Sequence, residues 1–143
     1  MSALTPDDCP IVTSDKIRYA DTDRQGHVNN AVFVTFFETG RVEILCDPDY
    51  PLMSSGSEFV IASINLAFKG EIHWPGEVKI GSYIKKLGNS SIHIGQVLFQ
   101  AERCVAEADS VAVQIDQATH KSRPLSQKSR ERLGALILEQ DLS

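Results

Sequence analysis

Cysteine is scarce and badly placed for structural use. Cys9, Cys46 and Cys104 are odd in number and far apart, which gives neither a CxxC pair for zinc nor the dense spacing of a disulfide framework. They are expected as reduced, mostly structural thiols. No segment approaches the roughly 20 apolar residues of a membrane span, and the opening MSALTPDDCPIV has neither the basic start nor the apolar stretch of a signal peptide. These absences predict a cytoplasmic protein with no membrane partner. Positive charge is in deficit: 14 Lys and Arg against 19 Asp and Glu leave a formal net charge of −5. With no Lys/Arg run to form a basic patch, nucleic acid is disfavoured as a partner. A Gly-rich phosphate loop, a Gly-x-Ser-x-Gly elbow and a Cys with a neighbouring His are all missing. His73, His93 and His120 fall in or beside expected strands and turns without ligand spacing, so neither a metal nor a cofactor is expected.

What is present is ordinary for a globular protein. The 143 residues are 42% hydrophobic and 23% charged, enough for one core and one domain over 1–143. Residues 1–10, with Pro6, Pro10 and Asp7-Asp8, read as an exposed lead-in. Thr13 to Tyr19 alternates, with Ile17 and Tyr19 on one parity and Lys16 and Arg18 on the other, as in a half-buried strand. Asp21 to His27 is polar and contains Gly26, which predicts a loop. From Asn30 to Cys46 the residues Phe33, Phe36, Phe37, Ile44 and Leu45 recur at helical spacing with Gly40 on the same face. Asn29 or Asn30 would cap that helix. Its first half is nearly apolar all round, which predicts a helix enclosed on several sides.

Pro48, Pro51 and Ser54 to Ser57 mark a loop, after which the period changes to two. Ile64, Leu66 and Phe68 share one face, and breaks follow at Gly70 and Trp74-Pro75-Gly76. Val78, Ile80, Ser82 and Ile84 then alternate up to a Gly88-Asn89 hairpin into Ile92, Ile94, Gln96 and Leu98. A last strand from Cys104 to Ile115 places Val105, Val111, Val113 and Ile115 on one parity. One apolar helix and a run of antiparallel strands define an α+β class in which the sheet curls around the helix. The tail 126–143, with Leu133, Leu136 and Ile137, suits a short amphipathic helix after Pro124.

Chemistry concentrates between Arg18 and Asn30, where carboxylates, an imidazole and amides stand just ahead of the apolar helix. The first turn of a helix has unpaired N–H groups and partial positive charge, so it can hold an oxyanion formed when a carbonyl is attacked. A carboxylate upstream can lie opposite, to attack that carbonyl or to draw a proton from water. Asp21 and Asp23 compete for this role and would point to opposite sides of an extended chain. Glu38 and Arg41, three residues apart on the helix, could pair.

The run Arg18-Tyr-Ala-Asp-Thr-Asp-Arg-Gln-Gly-His-Val-Asn-Asn30, continued by Phe36-Phe37-Glu38 and Arg41, resembles the signature of the 4-hydroxybenzoyl-CoA thioesterase family of hotdog proteins. The similarity covers roughly residues 12–125 and is specific in its first third. It implies a hotdog fold, an antiparallel sheet wrapped around one long central helix, with sheets paired in a homodimer or homotetramer. It also implies hydrolysis of acyl-CoA without a metal. The Asp-x-x-Gly element of that family matches Asp23-Arg24-Gln25-Gly26, which makes Asp23 the catalytic carboxylate, with Asp21 structural. The backbone N–H of Asn30 matches the amide that polarises the thioester carbonyl. His27-Val28-Asn29-Asn30 is also similar to plant acyl-carrier-protein thioesterases, but Gln25 stands where their Asn would be, so His27 is given a supporting role.

A net charge of −5 calls for local positive charge to hold the CoA nucleotide. Lys85-Lys86 before the hairpin, with Lys69, are the substrate-binding candidates. The competing expectations are an acyl-carrier-protein thioesterase, a hotdog module that binds acyl-CoA without hydrolysing it, and, more distantly, a hydratase using Asp23 with His27.

Overall fold

A computed structural model describes residues 4–52 and 55–138. The first three residues of the lead-in, Ser54 of the expected loop, and the tail from Glu139 onward lie outside those described. Strands β1 (Ile11–Lys16), β2 (Ser57–Phe68), β3 (Glu77–Leu87), β4 (Ser91–Gln100) and β5 (Arg103–Asp116) form one antiparallel sheet in the order β1-β3-β4-β5-β2. Helix α1 (Asn30–Leu45) lies across one face, and α2 (Gln127–Gly134) follows β5. The class is α+β.

Helix α1 forms where the apolar spacing places it, and Asn29 is the cap: its side chain accepts a hydrogen bond from the Ala31 N–H at 2.9 Å. Phe33, Phe36 and Phe37 bury against Ile17, Val28, Ile80 and Leu98. Ile44 and Leu45 meet Ile84, Ile92 and Ile94 further along. Gly40 is the point of closest approach. A Cβ there would stand 2.7 Å from Gln96 Nε2 and from Ile80 Cγ2. The same Gln96 amide donates to the Phe37 carbonyl and to Ser82 Oγ, both at 2.9 Å. These bonds satisfy its amide nitrogen, which would otherwise be costly in a dry interior.

Four expectations need correction. First, α1 is not enclosed on several sides: its outer face carries Val34 and Val42, 40% and 42% exposed, while the sheet covers the face with Phe33, Phe36 and Phe37. Second, the lead-in is not wholly exposed. Thr5 and Asp8 close a capping box over a 3-10 turn at Pro6–Asp8, and Cys9 packs with Tyr83, Val97 and Phe99 on the sheet face away from α1. That burial, and secondarily the Asp8 charge, raises the Cys9 thiol pKa to about 11.

The third correction concerns the first strand, which ends at Lys16. Ile17 is buried but Tyr19 is 75% exposed, since Asp21 draws the backbone into a 3-10 turn over Tyr19–Asp21. The fourth is the parity of β5. The small residues Ala106, Ala108, Ser110 and Ala112 face inward, while Val111 and Val113 are half-buried on the other face. One register shift in the β4–β5 pairing, between Leu98 and Phe99, accompanies the change, and only Val105 of the expected set is fully buried. Ala106 and Ala108 share a cluster with Phe33, Phe36 and Phe37, where small side chains leave room for the large ones.

Candidate active site

The loop between β1 and α1 is built by its own polar groups. Asp21, 3% exposed, accepts from the Arg18 N–H at 2.8 Å and pairs with the Arg18 guanidinium at 3.0 Å. That bond and the attendant charge raise the guanidinium pKa. The Asp21 carbonyl then receives the Asn29 N–H at 2.9 Å, fixing the helix start against the turn. Asp21 is thus consumed in holding the loop.

Asp23 stands differently. Its backbone N–H donates to the His27 carbonyl at 2.8 Å, and Gly26, at φ +81°, reverses the chain between them. Its Oδ1 accepts from the Gln25 and His27 N–H groups at 2.8 and 3.2 Å. This is the local turn that Asp side chains favour. Among the described residues Oδ2 has no hydrogen-bond donor, so one oxygen positions the side chain and the other is available.

At the helix start, the Ala31 N–H is taken by the Asn29 side chain and the Val32 N–H by the Asn29 carbonyl. The Asn30 N–H has no acceptor among the described residues. A free first-turn amide carries the positive end of the helix dipole.

Asp23, His27 and Asn30 line one cavity of about 320 Å³. Its apolar wall is Val28, Phe33 and Phe68, and Gly70 and Glu71 complete the rim. The Phe33 and Phe68 rings meet edge-on with centroids 5.1 Å apart, and Phe68 is half exposed at the mouth. Phe36 and Phe37 belong to the core.

Sequence reasoning missed Glu71 and His73. The Val28 N–H donates to the Ile72 carbonyl at 2.8 Å, and His27 and His73 form an isolated bridge. The segment Glu71–His73 is thereby tied to the Asp23 loop. Ile72 is fully buried, so its neighbours on either side turn outward together, and this period-two signal was readable in Glu71-Ile72-His73. Glu71 Oε2 lies 3.2 Å from His27 Nε2 and 3.6 Å from His73 Nε2. Glu38 is exposed and within 4 Å of no cation among the described residues, and so makes no buried pair with Arg41. Arg41 is 4% exposed, its Nη1 lacks a partner among the described residues, and burial lowers its pKa against the opposing pull of Glu38.

The three lysines do not gather at this cavity. Lys69 follows Phe68 and pairs with Glu107 at 3.8 Å, while Lys85 pairs with Asp109 at 2.8 Å. Lys85 and Lys86 line a separate groove of about 490 Å³ with Asn65, His93 and Asp109. Burial, then the charges of Lys86 and Lys85, push the His93 pKa down. No helix among the described residues is long and apolar enough to cross a membrane.

A single open sheet is thus crossed by one long helix, with Asp23 and the helix-start residue Asn30 on one cavity. The model of the thioesterase-like superfamily matches residues 17–133. The chain belongs to that superfamily and is a thioester hydrolase of the hotdog fold. Solved structures agree. A predicted thioesterase from Bacillus stearothermophilus is 26% identical with a TM-score of 0.83, covering 92% of this chain and 98% of its own. A thioesterase complexed with coenzyme A and Zn from Thermus thermophilus is 27% identical with a TM-score of 0.77, over 90% and 94%. DHNA-CoA thioesterase from Staphylococcus aureus, at 19% identity and a TM-score of 0.77 over 88% and 91%, shares the fold. No curated protein matches the chain.

Proposed function

We propose that this protein hydrolyses acyl-CoA thioesters to the free acid and CoA, using Asp23 and the Asn30 backbone amide. The observation that carries the reading is the pairing, on two residues that line one cavity, of a carboxylate oxygen without a donor and a helix-start N–H without an acceptor among the described residues. The acyl group lies against Phe33 and Phe68, with its carbonyl oxygen at the Asn30 N–H. Asp23 either removes a proton from the water that attacks the carbonyl carbon or attacks that carbon itself. In both cases the oxyanion is held at Asn30, the C–S bond breaks and the CoA thiolate leaves. It takes its proton from the protonated Asp23 on the general-base route and from water on the nucleophilic one, where a water then hydrolyses the Asp23–acyl anhydride to release the acid and restore the carboxylate. His27, whose N–H bonds Asp23, keeps that carboxylate in place. Coenzyme A in the Thermus thermophilus thioesterase supports the CoA assignment.

A panel of acyl-CoA thioesters, with the same acyl groups on acyl carrier protein and on pantetheine, tests the reading by thiol release. Turnover of the carrier-protein substrate alone, or binding of acyl-CoA without turnover, would replace it. A single turnover in ¹⁸O-labelled water that places label in the Asp23 carboxylate would identify it as the nucleophile, through an anhydride opened by water at the Asp23 carbonyl carbon.

Lys85 and Lys86 are the proposed holders of the CoA nucleotide, with Lys69 nearer the cavity. Because Asp109 already partners Lys85 and Glu107 partners Lys69, Lys86 should contribute most. Reversing Lys85 and Lys86 to Glu is expected to raise KM for acyl-CoA roughly 5- to 10-fold at low salt and less at high salt, where exposed charges are screened. KM for a pantetheine thioester should not change. An equal loss on both substrates would assign these lysines to folding.

Strand β2 is a sheet edge of 12 residues carrying Val60, Ile61, Ile64 and Phe68 at 37–50% exposure. A long apolar edge is a template for pairing with another strand. A second copy of the chain is the proposed partner, giving a two-fold dimer at least. Sedimentation should show a dimer or tetramer at micromolar concentration. A fully active monomer would remove this part of the reading.

A further inference from the structure

We propose that His27, Glu71 and His73 form a binding site for a divalent transition-metal ion, Zn²⁺ in class, at the rim of the cavity. His27 Nε2 and His73 Nε2 lie 3.2 and 3.6 Å from the same Glu71 Oε2, and each of the three residues offers one ligand atom within 4.8 Å of the other two. Four-coordinate zinc has bonds of about 2.0–2.1 Å, which place neighbouring donor atoms about 3.3–3.4 Å apart. The two distances to Glu71 bracket that value. Both rings have room to turn, His27 being 29% and His73 53% exposed. They meet edge-on at 80° with centroids 4.9 Å apart.

The backbone that carries the donors is held in place. The His27–His73 bridge sets the two histidines side by side. Gln100 clamps His73, accepting from its N–H at 3.0 Å and donating to its carbonyl at 2.7 Å. Arg103 donates to the Glu71 carbonyl at 2.6 Å. The donors therefore sit on a fixed frame while their side chains keep the small freedom needed to close on an ion. Two imidazoles and one carboxylate select borderline ions such as Zn²⁺, Co²⁺ or Ni²⁺ over Mg²⁺ and Ca²⁺, which want oxygen. Three protein ligands leave one position open. His27 and Glu71 line the cavity, whereas His73 does not.

The test is a titration of the full-length, tag-free chain with Zn²⁺ by calorimetry, and with Co²⁺ by its visible absorption. The expected result is one saturable site per chain for both ions, and none for Mg²⁺. His73→Ala should weaken Zn²⁺ binding about 10- to 100-fold, as should Glu71→Gln, while His120→Ala should bind like the parent. Circular dichroism reports whether each variant is folded, and should His73→Ala fail to fold, Glu71→Gln decides. Absence of saturable binding in the parent, or unchanged binding in folded Glu71→Gln, would overturn the proposal. Because it reads metal occupancy and not turnover, its failure leaves the hydrolase reading untouched.

Discussion

Replacing Asp23 by Asn is expected to lower kcat for thioester hydrolysis by about 10²–10⁴-fold, the usual cost of losing a positioned proton acceptor, with the fold unchanged. The substitution is conservative in a specific way. The Asn side-chain oxygen can still accept from the Gln25 and His27 N–H groups that Asp23 Oδ1 receives now. What disappears is the second oxygen, which has no donor among the described residues and becomes an amide nitrogen. The turn survives and the base does not. Asp21→Asn is expected to do the reverse. It weakens the ion pair with Arg18 and the carboxylate bond to the Arg18 backbone, so it should lower Tm while leaving most of kcat. Initial rates for both variants, with Tm measured on the same preparations, separate the two roles. If Asp21→Asn lost turnover while Asp23→Asn kept it, the carboxylate has been misassigned.

That contrast shows what a linear sequence can and cannot express. Helix α1 was legible because Phe33, Phe36, Phe37 and Ile44 repeat at 3.6-residue spacing and Asn29 precedes them, both local features. The hairpin at Gly88-Asn89 was legible for the same reason. The parity of β5 was not, because its bulky valines advertise one face while the buried face carries the small residues Ala106, Ala108, Ser110 and Ala112. The N-terminal segment misled in the opposite direction. Prolines and acids suggested solvent, but a capping box lets Pro6–Asp8 curl and places Cys9 on the sheet.

The cavity shows the same division. Asp23, His27 and Asn30 lie within one short run, so a loop before a helix brings them together. Glu71 and His73 reach His27 only through the bridge and the Val28–Ile72 hydrogen bond. Spacing along the chain carries no trace of that. Lys69 and Lys85 are engaged by Glu107 and Asp109, two residues apart on β5, a strand read for its apolar residues and not for its charges.

Phe37→Ala is expected to destabilise the protein by about 3–5 kcal/mol, the range for truncating a fully buried Phe. For a chain of this length that is a fall in Tm of roughly 10–20 °C. Phe37 has no exposed surface, and its carbonyl takes the Gln96 amide at 2.9 Å beside the Gly40 contact. The helix therefore cannot slide in to refill the space, because Gly40 already touches the sheet, and the cavity persists. Phe37→Leu leaves most of the volume in place and should cost less than half as much. The site feels the change through Val28 and Ile72, which pack in the same cluster and join the Asp23 loop to the Glu71–His73 segment. Activity measured well below the lowered Tm should drop far less than in Asp23→Asn, since no group in the cavity is removed. Thermal melts and initial rates on the two Phe37 variants check both statements. A Phe37→Ala protein whose Tm stays within about 3 °C of the parent would show that α1 is not seated on the sheet as described, and with it the position of the Asn30 amide would fall.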